Sequence, residues 1–170
     1  MRHGAWFVSV VVAGVALGVT LPPLSVSAAA AGEEVIKARI NFMEDEIGDH
    51  WKVLANFAKN GNGTLQDVEK NALALAVLAK KIPGHFAKNT GRGDFPDHVT
   101  RALPAIWKDW PGFEQQVKQF ADGSIKLASM AKAGDKDAVV KMIGPSGSYN
   151  RTEIGCAECH EKFRGPRVKK

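Results

Sequence analysis

Cys156-Ala157-Glu158-Cys159-His160 stands close to the end of this 170-residue chain and holds both of its cysteines. On a helix, Cys156, Cys159 and His160 occupy positions i, i+3 and i+4, so two thiols and an imidazole project from one face. Such a face can meet a flat macrocycle, with the sulfurs at the ring edge and the imidazole at a central metal. Cys-x-x-Cys-His is the attachment spacing of a c-type haem, in which the thiols form thioethers to the ring. Cys-x-x-Cys alone also suits a redox disulfide or half of a zinc site. The redox motif needs a βαβ setting, which the sequence lacks. Zinc would have to recruit His50, His85 or His98 from far away in the chain.

The opposite end of the chain supplies the compartment. Arg2 precedes an apolar run from Ala5 to Leu21, then Pro22-Pro23 and the small residues Ser25 to Ala28. This is the composition of a secretory signal peptide, cleaved after Ala28 or Ala30, and it predicts export to the periplasm. An uncleaved anchor is the alternative, but the run is short for a span and prolines interrupt it. Residues 31–170 then form one domain, long enough to bury a core. The full chain has 23 Lys+Arg against 18 Asp+Glu. The charges are interspersed rather than striped, which argues against nucleic acid. The basic tail from Arg164 to Lys170 could orient an acidic redox partner, although a basic chain end is ordinarily just solvated.

Between these ends the periodicity is helical. Ile36, Ile40, Met43, Ile47, Trp51, Leu54 and Ala58 recur at steps of three and four, predicting one helix over Glu33–Asn60, stopped by Gly61-Asn62-Gly63. Arg39 and Met43 lie one turn apart on it. Thr64-Leu-Gln-Asp67 resembles a capping box and opens a second helix, with Val68, Ala72, Leu75, Ala79 and Ile82 inward and Pro83-Gly84 as its end. His85 to Trp110 is broken by Gly91, Gly93, Pro96 and Pro104, and reads as a long loop anchored by Trp107 and Trp110. A third helix runs from about Gly112 to Ala133 with Phe113, Val117, Phe120, Leu127 and Ala131 inward and Gly123 as a weak point. Asp135 caps a fourth, interrupted at Gly144–Gly147 and resuming near Arg151 through Cys156 to Phe163. With no strand alternation and no repeat, the pattern predicts an all-α, antiparallel four-helix bundle.

Three stretches together resemble the class II cytochromes c, meaning cytochrome c prime and its low-spin, methionine-ligated relatives. They are Cys156-Ala-Glu-Cys-His-Glu-Lys-Phe-Arg164, Arg39-Ile-Asn-Phe-Met43 and Pro104-Ala-Ile-Trp107. The resemblance covers the predicted mature chain. It departs from the family at Gly144–Asn150, which is longer and more broken than the family's run into the haem motif. It implies an up-down-up-down bundle with one haem c, attached through Cys156 and Cys159 and ligated at its iron by His160. It implies Phe163 against the haem edge, Arg164 near the proximal face, and Arg39 near a propionate. Homodimers through the first two helices occur in the family, and the first helix here shows no excess apolar face to demand one.

Met43 separates two functions. If its sulfur binds the iron opposite His160, both axial positions are filled and the chain is a periplasmic electron carrier serving redox partner proteins. If it merely walls the distal side, as core methionines readily do, the iron is five-coordinate and open to small gases such as nitric oxide. A haem enzyme is disfavoured, because Ile40, Met43 and Ile47 offer no acid–base group.

Overall fold

A computed structural model describes residues 28–144, 146–147 and 153–169. The export segment read over residues 1–28 lies outside these apart from Ala28, which opens the first helix. That helix, α1 (Ala28–Asn41), starts on alanines, the strongest helix formers. It passes through a π-helical turn (Phe42–Glu46) into α2 (Ile47–Asn60). The single helix expected over Glu33–Asn60 is therefore continuous in path but wound wider in the middle. α2 ends where Gly61 takes a left-handed φ of 68° and returns its N–H to Phe57. Thr64 then caps α3 (Leu65–Ala79): its side chain accepts from Asp67 N at 3.1 Å, and Asp67 accepts from Thr64 N at 2.8 Å. The capping box is complete although Asp replaces the usual Glu or Gln. The connection is short, so α2 and α3 pack as antiparallel neighbours.

After α3 comes a 3₁₀ turn (Ile82–His85), then the expected long loop and the short helix α4 (Ala105–Lys108). Trp107 pins the loop by donating Nε1–H to Phe86 O at 3.1 Å. Gly91 is required beneath it, since a Cβ there would lie 2.3 Å from the indole. Asp109 caps α5 (Trp110–Lys132), and Asp135 caps α6 (Lys136–Ile143). The predicted inward row of α5 is buried throughout, and α5 packs most extensively on α3.

α5 runs unbroken through Gly123, the expected weak point. The glycine admits the backbone of Ile154, whose carbonyl oxygen would stand 2.8 Å from any Cβ at that position. The point near Arg151 at which helix four was expected to resume lies outside the described residues, and residues 153–155 form a turn. α7 (Cys156–Phe163) begins at the first cysteine, after Gly155 at φ 94°. Ile154, fully buried, closes the core beneath that turn. The fold is thus four helical columns, the first containing a π turn and the last split into α6 and α7.

Candidate functional site

α7 turns Cys156, Cys159, His160 and Phe163 toward a cavity of about 560 Å³. That volume lies within the roughly 300–1,000 Å³ of small-molecule sites. Beginning the helix at Cys156 gives the i, i+3, i+4 arrangement for which the motif was read. Burial, with Arg164 and Arg101 adding to it, lowers the His160 pKa to about 4, so its imidazole is neutral and keeps a lone pair. Burial raises the Cys159 thiol to about 11, with Arg164 opposing and Glu158 reinforcing the shift. A protonated thiol at neutral pH is not the activated thiolate of a redox disulfide centre. Among the described residues no three His, Cys, Asp or Glu side chains gather as a metal-binding group, so the zinc alternative finds no further ligand. The donor set and the mostly apolar cavity fit a haem held by two thiols and one neutral imidazole.

The facing wall comes from the first helical column. Arg39, Met43, Ile47 and Trp51 all line the cavity, at steps of four residues. In a regular α-helix each such step overshoots a turn by about 40°, so the row would drift by roughly 120°. The π turn at Phe42–Glu46 takes more residues per turn and keeps the row facing one way. Met43 sits inside this turn, half-buried, on the cavity side. The apolar stripe read from the sequence in fact splits in two. Ile40, Met43, Ile47 and Trp51 border the cavity, and Ile40 is 38 % exposed. Ile36, Phe42, Leu54 and Phe57 are buried in the core, and Ile47, itself buried, is shared between core and cavity. Phe42 and Phe57 were missed as core positions because the cavity row has the same helical period.

Arg39 is 4 % exposed, and its guanidinium is engaged by the long loop. It donates to Thr90 Oγ1 at 3.0 Å, Thr90 O at 2.8 Å and Thr100 Oγ1 at 2.9 Å, and lies 5.0 Å from the centre of the Phe86 ring. Burial lowers its pKa to about 10, which leaves it charged at neutral pH. Its propionate role was implied by resemblance; the geometry adds a strut holding loop to helix. Phe163 is buried and meets Phe113 edge to face at 5.4 Å. Arg164 lines the cavity beyond it, and its backbone N–H returns to His160 O at 3.1 Å.

The other histidines divide. His50 bonds Asn71 Oδ1 through Nδ1 at 2.7 Å, tying α2 to α3 away from the cavity. His85, read as the start of the long loop, stacks on Phe42 with ring centres 3.9 Å apart. His98 lines the cavity. Sequence reading missed the C-terminal tail as part of the site. Gly165 exchanges hydrogen bonds with Arg101, Pro166 O accepts from Arg92, and Arg167 and Val168 reach the cavity rim. The only available signal was the basic run, which looks the same in a solvated chain end.

Residues 34–164 match the family model described as Cytochrome C'. The chain is 29% identical over 119 residues to cytochrome c' of Rubrivivax gelatinosus, covering 69% of this chain and 84% of that one. Its structure resembles that of cytochrome c' from Rhodobacter spheriodes with a TM-score of 0.63 at 26% identity, over 80% of this chain and 98% of that one. A cytochrome c prime variant from Alcaligenes xylosoxidans, solved as a nitric oxide complex, shares the fold. Its TM-score is 0.60 at 24% identity, over 79% of this chain and 97% of that one.

Proposed function

Because the chain belongs to the cytochrome c prime family through residues 34–164, it is a covalent c-type haem protein, and we propose that it is an exported electron carrier with His160 and Met43 as axial ligands. One observation carries this reading. Met43, on the π turn, and His160, on α7, border the same cavity from different helical columns. Bound haem supplies a one-electron iron couple. Cys156 and Cys159 tether the group and His160 offers its neutral lone pair. The thioether of Met43 offers a second soft donor that needs no deprotonation. Phe113, Phe163, Ile47 and Val117 exclude water from the cavity, which favours the less charged, reduced state. With His160 and Met43 both offered to the iron by the chain, coordination would stay the same between redox states and little reorganisation would oppose electron transfer.

Gas binding is the second reading, and the apolar wall favours it. If the Met43 sulfur stays off the iron, Ile40, Met43 and Ile47 leave a distal side that admits only small uncharged molecules. The nitric oxide complex of the Alcaligenes protein is consistent with such a role in this family. The visible spectrum of the purified holoprotein decides between the two. The electron-carrier reading expects sharp low-spin bands on reduction and, on oxidation, a weak sulfur-to-iron band that Met43→Ala abolishes. A broad high-spin spectrum that responds to carbon monoxide in the unmutated protein would overturn it in favour of gas binding.

A further inference from the structure

Beyond α7 the chain runs extended along the cavity rim. Arg164 has φ −120° and ψ 116° and forms an isolated antiparallel bridge with Ala102. Leu103 N–H donates to Phe163 O at 3.0 Å, and Gly165 N–H donates to Arg101 O at 2.8 Å. Gly165 O in turn accepts from Arg101 Nε at 2.8 Å. A side chain at Gly165 would run into the Arg92 guanidinium. Arg92 is 9 % exposed and donates to Thr100 O, Asp97 O and Pro166 O. A charge taken out of water needs such bonds, so the root of the tail is firmly fixed to the long loop.

Past Pro166 the attachment changes character. Arg167 Nη2 lies 3.4 Å from Glu44 Oε1, and these side chains are 76 % and 61 % exposed. Glu44 belongs to the π turn and adjoins Met43, so the pair joins the tail to the helical column that faces α7. Val168 borders the cavity from the tail and Ile40 from α1. Residues 165–168 thus reach from the α7 side of the cavity to the Met43 side, with a firm root and a tip held by a surface ion pair. Such a pair is weak and is screened by salt, so the tip can part while the root stays bound. The family match ends at Arg164, and this segment lies beyond it.

We propose that residues 165–168 are a selectivity strap: closed by the Arg167–Glu44 pair, they bar molecules bulkier than a diatomic from the iron, and they open at the tip about the root held by Arg92. This rests on haem occupying the cavity and holds whether or not Met43 binds the iron. In an electron carrier the strap keeps competing ligands from the metal. In a gas binder it selects by size.

The test uses reduced holoprotein in a Met43→Ala background, which leaves the distal position open under either reading. The probes are methyl isocyanide and n-butyl isocyanide, uncharged ligands of ferrous haem that differ in bulk, with association rates measured by stopped flow. Arg167→Gln should raise the n-butyl rate roughly two- to fivefold, the population change that loss of an exposed ion pair can produce, and leave the methyl rate unchanged. Truncation after Gly165 should raise the n-butyl rate at least as far. Reversing the pair, Glu44→Arg with Arg167→Glu, should restore the slow rate, which a merely loosened pocket would not do. Because both probes are uncharged, added salt should speed n-butyl entry in the full chain and have no effect in the truncated one. An n-butyl rate unmoved by Arg167→Gln overturns the proposal, and so does an equal rise for the two ligands. If the truncated chain loads no haem, Arg167→Gln and the reversed pair decide alone. A full chain that attaches no haem would overturn the haem reading itself, an outcome distinct from attached haem with unmoved rates.

Discussion

Arg39 shows how one side chain can serve a site without being a ligand. A charged group taken almost wholly out of water is tolerated only if its donors are used, and three of them reach Thr90 and Thr100. Net contributions for hydrogen bonds to a charged group run at about 1.5–3 kcal/mol, and bonds sharing one guanidinium are not additive. Arg39→Met should therefore destabilise the holoprotein by roughly 2–4 kcal/mol in urea unfolding. Arg39→Lys should recover only part of that, because an ammonium lacks the planar fork. An unchanged unfolding midpoint for Arg39→Met would remove the strut. Sequence alone marked Arg39 and Met43 as one turn apart. It could not show that Arg39 is buried against a loop some 51 to 61 residues onward, because a long-range contact leaves no local signature.

Among the elements, the glycines and the π turn decide most. Gly123 sits in the middle of α5, where Gly→Ala ordinarily gains about 1 kcal/mol of helix propensity. Here the added methyl would meet the backbone of Ile154, which cannot rotate away as a side chain can. Overpacking of this kind costs about 1–3 kcal/mol, so the clash is expected to win. Gly123→Ala should lower the thermal midpoint, and a rise would show that the approach of α5 to the turn before α7 is soft. α3 and α6 were legible from their caps, Thr64 and Asp135, and α5 from its period, whereas the cap of α5, Asp109, shows only in the structure. The π turn was not legible, because Phe42–Glu46 has ordinary helix-forming composition. Its widened winding shows only in which residues share the cavity wall.

At the scale of the whole molecule, an exposed charge pair helps tie α7 to the bundle. Lys162 Nζ lies 2.6 Å from Asp109 Oδ2, linking α7 to the N-cap of α5. The bond from Lys162, followed by the Gly112 backbone N–H, holds the Asp109 carboxyl below its ordinary value of 3.8. A carboxylate with a lowered folded pKa stabilises the fold above its unfolded value, and that contribution disappears as pH falls through the folded one. Asp109→Asn keeps a capping oxygen but loses the charge. The difference in thermal midpoint between it and the parent should be present near neutral pH and vanish in acid, once pH has fallen through the lowered pKa of the folded carboxyl. A difference that persists in acid would assign the effect to capping rather than to the ion pair. Both partners are exposed, so high salt should shrink it too.

The sequence by itself determined the cofactor chemistry and the helical class, and it singled out Cys156, Cys159 and His160 as the residues proposed to hold the haem, because a single turn of helix fixes them relative to one another. Its helical periods also carried the bundle, since each inward row can be buried only against another. What it could not separate was the row that faces the core from the row that faces the cavity along Ile36–Trp51, as both are apolar and share one period. The tertiary structure decided that, through a π turn that turns Met43 to the cavity, a loop clamped on Arg39, and a tail folded back to the rim.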